Sequence, residues 1–470
     1  MKKTKIVATI GPACRSKEVL TNMIKAGMNV ARINLSHQKN NDRLELIEMI
    51  RSLGKELNTN VAIMYDTCGP EIRSGEFESG KVELIKGNEV EITTSKVLGT
   101  DKLFTINYNN LITDISVGDI IVLHDGQVSL KVTSIKENVV CKVVDGGILY
   151  NKTGVNIPGM MTSLPFLSER DIEDIKEAAK YDVDFIALSF VRSSEDVLEV
   201  NDLLIELGND HMGIISKIEC SLAVDDIKNI VDASDGVMIA RGDLGIEIPL
   251  EEVPCIQKMI VKECYEKNKV SIVATEMLAS MEENSRPTRA EVSDVANAVI
   301  DGADAVMLSG ETAMGNYPIE AVKMMNKIIV NAEDHINHME LLKNAMSIDD
   351  DDITNAIAFS VVDSANKVKA ASILASTTSG ETARKISRFR PSCIIIASSF
   401  NEKTVRSLAL NWGVYAFSTK KCNSTDEIIE SAISIAKSFY KYEYHDKVII
   451  TGGFPSKDVK YTNFMKIEEL

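Results

Sequence analysis

Three segments that resemble β-strands each end in residues that could do chemistry. They are IISKIE at 214–219, VMIARGDLG at 237–245 and SIVATEM at 271–277. Each begins with a short apolar run, which is typical of a buried strand in a parallel sheet. The carboxyl ends of parallel strands in a closed barrel open onto one face. We therefore expect Lys217, Glu219, Asp243 and Thr275 to lie close together.

This group of residues suits chemistry on a phosphorylated substrate. Glu219 and Asp243 are two carboxylates on neighbouring strands, and Mg²⁺ is usually held by one or two carboxylates plus substrate oxygens and water. The ammonium of Lys217 could neutralise charge on a phosphoryl group in transfer. In the sequence RGDLG, Gly242 lets backbone N–H groups approach an anion closely. Ordinary salt bridges between these charged residues remain an alternative.

Further polar residues stand at the predicted strand ends. Any one of them could be a loop residue or a helix cap, but their joint occurrence favours a site. Two guanidinium groups, on Arg32 and Arg73, are consistent with a phosphorylated substrate or with structural ion pairs. The other strand-end residues are Asn34, Ser36, Asp66, Thr67, Ser189, Arg241, Ser309 and Glu311.

Four of these residues form an oxygen-rich group with only one formal charge. Asn34, Ser36, Asp66 and Thr67 are suited to a large monovalent cation more than to a divalent one. From the residue types alone, an ordinary hydrogen-bond network is the favoured interpretation.

Composition excludes several classes of protein. The chain has 470 residues and a formal net charge of -17, which argues against nucleic acid as the main partner because phosphate backbones require a basic face. Its eight cysteines contain no CxxC pair, so we expect reduced thiols and a cytoplasmic location. No apolar run reaches membrane-spanning length, and the one near the amino terminus is too short for a signal peptide.

The order of predicted elements indicates an α/β fold. Three βα units precede residue 71, short strands separated by turns follow, and five further units begin after Gly154. Eight such units predict a TIM (β/α)₈ barrel, in which a small inserted β-barrel would hang over the catalytic mouth as a lid. We expect the barrel at 1–70 and 157–345, the lid at 71–156, and a C-terminal α/β domain for effector binding and oligomerisation at 346–470.

Several longer motifs resemble those of pyruvate kinases along essentially the whole chain. They are ATIGPA near the start, ARINLSH at 31–37, DTCGPEIRSG at 66–75, GVNIPG at 154–159, SKIE at 216–219, ARGDLGIEIP at 240–249 and RPTRAEVSDVANAVIDGADAVMLSGETAMGNYP at 286–318. The resemblance is to bacterial members without an extra C-terminal phosphotransfer domain. It implies phosphoryl transfer from phosphoenolpyruvate to ADP, giving ATP and pyruvate in the last step of glycolysis.

The resemblance also implies roles for individual residues. Glu219 and Asp243 would hold Mg²⁺ or Mn²⁺, and Asn34, Ser36, Asp66 and Thr67 would hold K⁺. The catalytic residues would be Lys217, Thr275, Arg32 and Ser309. The substrate would contact Arg32, Lys217, Gly242, Asp243 and Thr275, and the nucleotide would contact Arg73, Asn34 and His37.

At four positions the chain departs from the usual family pattern. Cys68 replaces a common lysine, Cys220 an asparagine, Glu276 a glutamine and His124 an aspartate. None is a predicted metal ligand, so we expect catalysis to survive.

The segment 376–391 predicts a phosphate-binding turn that enters a helix. By resemblance, Thr377, Thr378, Ser379 and Thr382 would bind a phosphorylated effector of an allosteric homotetramer, although a well-capped helix would explain the same sequence. Glu381 would repel a phosphate unless it points away. Two rival functions are a catalytically silent homologue that senses a metabolite and another enolate enzyme on the same barrel.

Overall fold

The first third of the barrel alternates strands with helices. The computed structural model describes residues 1–36, 40–345, 352–453 and 461–470. The first helix begins where the Ser16 hydroxyl accepts a hydrogen bond from the N–H of Val19, and it ends at Gly27, whose φ is 121°. The elements are β1 (Lys5–Thr9), α1 (Lys17–Ala26), β2 (Val30–Asn34), α2 (Asn40–Glu56) and β3 (Ala62–Asp66).

An inserted β-structure follows β3 and has a hydrophobic core of its own, which includes Phe104, Leu130 and Cys141. One sheet has the strand order β11-β7-β8-β9-β5-β6, and a second pairs β10 with β4. The elements are β4 (Lys81–Leu84), β5 (Glu89–Thr93), β6 (Leu103–Thr105), α3 (Leu111–Asp114), β7 (Ile120–Leu123), β8 (Val128–Ile135), β9 (Val139–Asp145), β10 (Gly147–Tyr150) and β11 (Val155–Asn156).

Five more strands complete a closed parallel barrel with the order β1-β16-β15-β14-β13-β12-β3-β2. Their residues are buried on both faces, as the continuous apolar runs predict. The elements are α4 (Glu169–Lys180), β12 (Phe185–Leu188), α5 (Ser194–Glu206), β13 (Gly213–Ile218), α6 (Ser221–Asp225), α7 (Ile227–Ala233), β14 (Gly236–Ala240), α8 (Arg241–Glu247), α9 (Val253–Glu266), β15 (Val270–Ala274), α10 (Arg289–Ile300), β16 (Ala305–Leu308), α11 (Gly310–Ala313) and α12 (Pro318–Glu333).

The amino-terminal end of the barrel is closed by side chains on alternate strands. Asn29, Asp184, Asp235 and Asp304 each stand just before a strand and accept a hydrogen bond from the first backbone N–H groups of a neighbouring strand. The donors are Ile6 at 3.0 Å, Ile63 at 2.8 Å, Ile214 at 2.9 Å and Ser271 at 3.0 Å. These bonds pair N–H groups that would otherwise be buried and unsatisfied at the barrel floor.

The C-terminal part forms a five-stranded sheet with the order β19-β18-β17-β20-β21, in which β21 is antiparallel. Ion pairs join this part to the barrel floor, among them Arg390 with Asp304 at 2.8 Å and Arg406 with Asp184 at 2.7 Å. The elements are α13 (His338–Ala345), α14 (Ile353–Val368), β17 (Ser372–Ser376), α15 (Glu381–Arg388), β18 (Ile394–Ser399), α16 (Glu402–Ser407), β19 (Val414–Ser418), α17 (Thr425–Phe439), β20 (Lys447–Gly452) and β21 (Phe464–Glu469).

The predicted fold class is confirmed: an eight-stranded parallel barrel carries an inserted β-structure and a C-terminal α/β part. The predicted domain limits at residues 70, 156 and 345 stay a prediction. Among the described residues, no helix is both long and apolar enough to cross a membrane.

Candidate active site

Lys217 is the centre of a buried ion-pair cluster at the carboxyl end of the barrel. Its Nζ lies 2.8 Å from Glu219 Oε1 and 3.1 Å from Asp66 Oδ1, and it donates to Ser189 Oγ at 2.7 Å. Burial alone would lower the pKa of Lys217, but Asp66 and Glu219 raise that pKa above its ordinary value. The side chain therefore stays a cation and is suited to electrostatic stabilisation rather than to proton transfer.

Asp66 joins Lys217 to a second cation, Arg32. Arg32 Nε lies 2.6 Å from Asp66 Oδ2, and Arg32 Nη1 donates to Thr9 Oγ1 at 2.9 Å. Burial would raise the pKa of Asp66, but Arg32 and Lys217 together hold that pKa below its ordinary value. The two cations thus share one carboxylate, which fixes their orientation at the barrel mouth.

Glu219 and Asp243 form a pair of carboxylates beside this cluster. Glu219 is 1% exposed, and its Oε2 accepts the N–H of Phe190 at 2.7 Å. Burial and the charge of Glu219 raise the pKa of Asp243 to about 7. A buried carboxylate whose pKa is raised beside a second carboxylate belongs to a donor set that a divalent cation would stabilise. Among the described residues, no group of three or more His, Cys, Asp or Glu could hold a metal ion, so a metal there would need oxygens from substrate or water.

The Thr275 hydroxyl lies against the start of α8. It accepts the N–H of Gly242 at 2.8 Å and donates to the carbonyl of Ala274 at 2.6 Å. The predicted pair Gly242 and Thr275 is therefore brought together.

Ser309 follows β16, and a buried carboxylate links it to the loop that carries Thr275. Glu311 Oε2 accepts the N–H of Ser309 at 2.7 Å, while Glu311 Oε1 accepts the N–H of Leu278 at 3.0 Å. Glu311 thereby ties the loops after β15 and β16 to each other.

The predicted monovalent-cation group lies at the ends of β2 and β3, where Asn34 is in register with Asp66. Asn34 Oδ1 accepts the N–H of Ser36 at 3.0 Å, and the Ser36 hydroxyl donates to Cys68 Sγ at 3.3 Å. Thr67 Oγ1 accepts the N–H of Ser189 at 3.2 Å. The four side chains supply oxygen donors and one carboxylate, which is a composition that fits a large monovalent cation.

A cavity of about 430 Å³ lies between the barrel mouth and the inserted β-structure. Of the predicted residues, Arg73 and Asp243 line it, and Arg73 Nε is paired with Glu71 Oε2 at 2.7 Å. Cys220 and His124, which depart from the family pattern, also line it. Other lining residues that sequence reasoning did not single out are Asp125, Tyr150, Lys152, Asn156, Arg192 and Glu247.

Arg192 is the most informative of the missed residues. It pairs with Asp196 at 3.0 Å and donates to the carbonyls of Thr162 and Leu164, so it ties the segment after the insertion to the barrel. A signal was available, because Arg192 stands just past the carboxyl end of the strand segment DFIALSF.

The predicted effector loop precedes α15. This helix has Gly380 as its N-cap and no side-chain capping bond, while Thr377 Oγ1 accepts the N–H of Gly380 at 3.0 Å. Glu381 lies 3.8 Å from Lys385 Nζ, an ion pair that offsets its charge. Thr382 shares a hydrogen bond of 2.6 Å with Thr462. The predicted nucleotide residue His37 lies outside the described residues.

Comparison with known proteins agrees with this geometry. The family description "Pyruvate kinase, barrel domain" matches residues 1–322, and "Pyruvate kinase, alpha/beta domain" matches residues 355–468. The chain belongs to the pyruvate kinase family. It is thereby a phosphotransferase, and membership of this family favours the catalytic interpretation over a silent metabolite sensor.

Individual pyruvate kinases resemble the chain over almost its full length. Those of Staphylococcus saprophyticus and of Staphylococcus aureus strain MRSA252 are each 46% identical over 470 residues, covering 99% of this chain and 80% of the relative. The crystal structure of a pyruvate kinase from Cryptosporidium parvum has a TM-score of 0.94 and 38% identity, covering 100% of this chain and 96% of that one.

Proposed function

We propose that the chain transfers the phosphoryl group of phosphoenolpyruvate to ADP, giving ATP and an enolpyruvate that is then protonated to pyruvate. The observation that carries the proposal is the buried cation of Lys217, paired with Glu219 at 2.8 Å and with Asp66 at 3.1 Å at the barrel mouth. A fixed cation in a place of low dielectric stabilises the charge that develops during phosphoryl transfer.

Glu219 and Asp243 would hold Mg²⁺ or Mn²⁺ in this proposal. The raised pKa of Asp243, which burial and then the charge of Glu219 cause, supports the assignment, because a bound divalent cation would stabilise the ionised carboxylate. When bound, the metal would neutralise charge on phosphoryl and enolate oxygens.

Asn34, Ser36, Asp66 and Thr67 would hold K⁺. Their oxygen donors and single carboxylate support this assignment. Because Asp66 also pairs with Arg32 and Lys217, a monovalent cation there would add to the positive charge that faces the phosphoryl group in transfer.

The remaining predicted roles follow the position of each residue. Arg32, Lys217, Gly242, Asp243 and Thr275 would contact phosphoenolpyruvate. Thr275 and Ser309 would relay the proton that is added to the carbon of the enolate. Glu311 supports this shared role, because it joins the loop that carries Thr275 to the loop that carries Ser309. The nucleotide residues would be Arg73, Asn34 and His37, of which Arg73 lines the cavity.

A phosphorylated effector would bind at Thr377, Thr378, Ser379 and Thr382. Glycine at the N-cap supports this proposal over a capped helix, because Gly380 has no side chain that could accept the N–H groups of the first turn of α15 in place of an anion. We also propose that the enzyme is a homotetramer in the cytoplasm.

The test is a coupled assay that measures pyruvate and ATP separately, starting from phosphoenolpyruvate and ADP with Mg²⁺ and K⁺. Equal amounts of both products support the proposal. No turnover in the complete mixture, from protein with a cooperative melting transition, would contradict it.

A further inference from the structure

The backbone after β15 adopts a conformation that a threonine rarely takes. Thr275 has a φ of 67° and Glu276 a φ of 54°, so two consecutive residues that are not glycine lie in the left-handed region. For a β-branched residue such as threonine this conformation is strained, and it persists only where surrounding contacts hold it.

Arg241 supplies contacts of this kind. Its Nη2 donates to the carbonyl of Thr275 at 2.8 Å, and its Nε donates to the carbonyl of Ala274 at 3.3 Å. Its Nη1 pairs with Asp294 Oδ1 at 2.7 Å and lies 3.4 Å from Gln257 Oε1. The guanidinium therefore turns back onto the loop that carries Thr275.

The same contacts determine where the Thr275 hydroxyl lies. Its oxygen accepts the N–H of Gly242 and donates its hydrogen to the carbonyl of Ala274. Ala274 thus accepts from both Thr275 and Arg241. A shift of the guanidinium would move this shared acceptor and the backbone that carries the hydroxyl.

We propose that Arg241, oriented by Asp294, is a positioning residue that holds Thr275 for protonation of the enolate. This inference rests on the proposed function. In that step the C=C π pair of the enolate binds a proton to form the methyl C–H bond, the C=C double bond becomes a single bond, and an electron pair of the enolate oxygen forms the π bond of the C=O group of pyruvate. Water replaces the proton that the Thr275 hydroxyl relays.

The test separates proton transfer from phosphoryl transfer. Exchange of the pyruvate methyl hydrogens with D₂O, in the presence of ATP, Mg²⁺ and K⁺, is followed by NMR and compared with the forward rate of ATP formation. In Arg241→Lys and in Asp294→Asn we expect exchange to fall roughly 10- to 100-fold, and the KM for phosphoenolpyruvate to change little. ATP formation should fall less than exchange.

Two further variants distinguish positioning from general damage. In a Thr275→Ala background, Arg241→Lys should have little further effect on exchange, because both substitutions remove the same function. Arg51→Lys is the matched control: Arg51 is also part-buried and ion-paired, with Asp184 at 2.8 Å, but it lies at the opposite end of the barrel. We expect this variant to exchange at the unmodified rate.

Each outcome decides the inference. Equal losses of exchange and ATP formation, or an additive effect in the double variant, would overturn it. If Arg241→Lys does not fold, Asp294→Asn retains the guanidinium and carries the test. Failure of the proposed function is distinct, since the unmodified protein would then produce neither pyruvate nor ATP.

Discussion

Lys217 and Asp66 form a buried ion pair, with Nζ 3.1 Å from Oδ1, that joins the proposed transfer cation to the proposed potassium group. The side chains are 10% and 2% exposed, so solvent screens the interaction little. Asp66 pairs at the same time with Arg32. One carboxylate thus determines the position of both cations at the barrel mouth.

Asp66→Asn should therefore reduce both stability and activity. Removing one partner of a buried ion pair leaves charge uncompensated, which costs about 3–5 kcal/mol in the free energy of unfolding. We expect a lower melting temperature and a rate reduced by roughly 100-fold or more, because Lys217 and Arg32 lose the negative charge that they share. The control is Glu56→Gln, which breaks an exposed pair with Lys17 and should leave both quantities unchanged. An Asp66→Asn variant with unmodified melting and rate would contradict this account.

Lys5 should make stability depend on pH. It lies between the barrel and the C-terminal sheet, donating to the carbonyl of Val414 at 2.5 Å and lying 4.3 Å from the ring of Tyr415. Burial lowers the pKa of Lys5 to about 7, although Glu333 raises it. An unfolded lysine has a pKa of about 10.4, so between about pH 7 and pH 10 the unfolded chain binds more protons.

Stability contributed through Lys5 therefore rises with pH across this window. Lys5→Met removes the titration, and Lys2, Glu333 and Tyr415 remain in place as the other groups that face it. The melting temperature of the unmodified protein minus that of Lys5→Met should increase from pH 7 to pH 9.5, measured by calorimetry. A difference that is constant or that decreases over this range would refute the assignment of a neutral lysine.

Omitting each cation should affect the rate differently. Chelation of divalent ions should abolish turnover, and Glu219→Gln should raise the Mg²⁺ concentration needed for half-maximal rate. Replacing K⁺ by tetramethylammonium should lower the rate without abolishing substrate binding. Thr67→Val, which removes one oxygen donor, should raise the K⁺ requirement selectively. An equal change in the Mg²⁺ and K⁺ requirements of Thr67→Val would contradict two separate cation groups.

The loop before α15 should respond to phosphate-bearing ligands. A panel of sugar phosphates and AMP is added at low phosphoenolpyruvate concentration, and the initial rate is measured. We expect at least one of them to change the apparent affinity for phosphoenolpyruvate, and Ser379→Asp to abolish the response by repulsion. Ser379→Ala is the matched control, because it removes the hydroxyl without adding a charge. This variant should weaken the response to the ligand but not abolish it. No response to any compound would favour a purely structural helix.

The sequence predicted the fold and the central carboxylates because both follow from simple periodicity. Apolar runs with polar residues at or just past their ends identify the strands of a parallel barrel: Lys217 is the penultimate residue of β13, and Glu219 follows the strand directly. The order of the segments also revealed the insertion between β3 and β12.

The direction in which a side chain points could not be predicted from the sequence pattern. Arg241 stands at a strand end like the other polar residues, yet its donors point back to Ala274 and Thr275. Asp66 was assigned to the cation group by its oxygen, whereas its two ion pairs depend on which rotamers Arg32 and Lys217 adopt. Such choices depend on tertiary packing, which no local pattern specifies.

The most direct test of the central claim is the rate of ATP and pyruvate formation by Lys217→Met, a change that keeps most of the side-chain volume but removes the charge. We predict a loss of roughly 100- to 1,000-fold in kcat, with phosphoenolpyruvate binding retained. The control is Lys228→Met, an exposed lysine on α7, which should turn over normally. A Lys217→Met enzyme as fast as the unmodified protein would contradict the account.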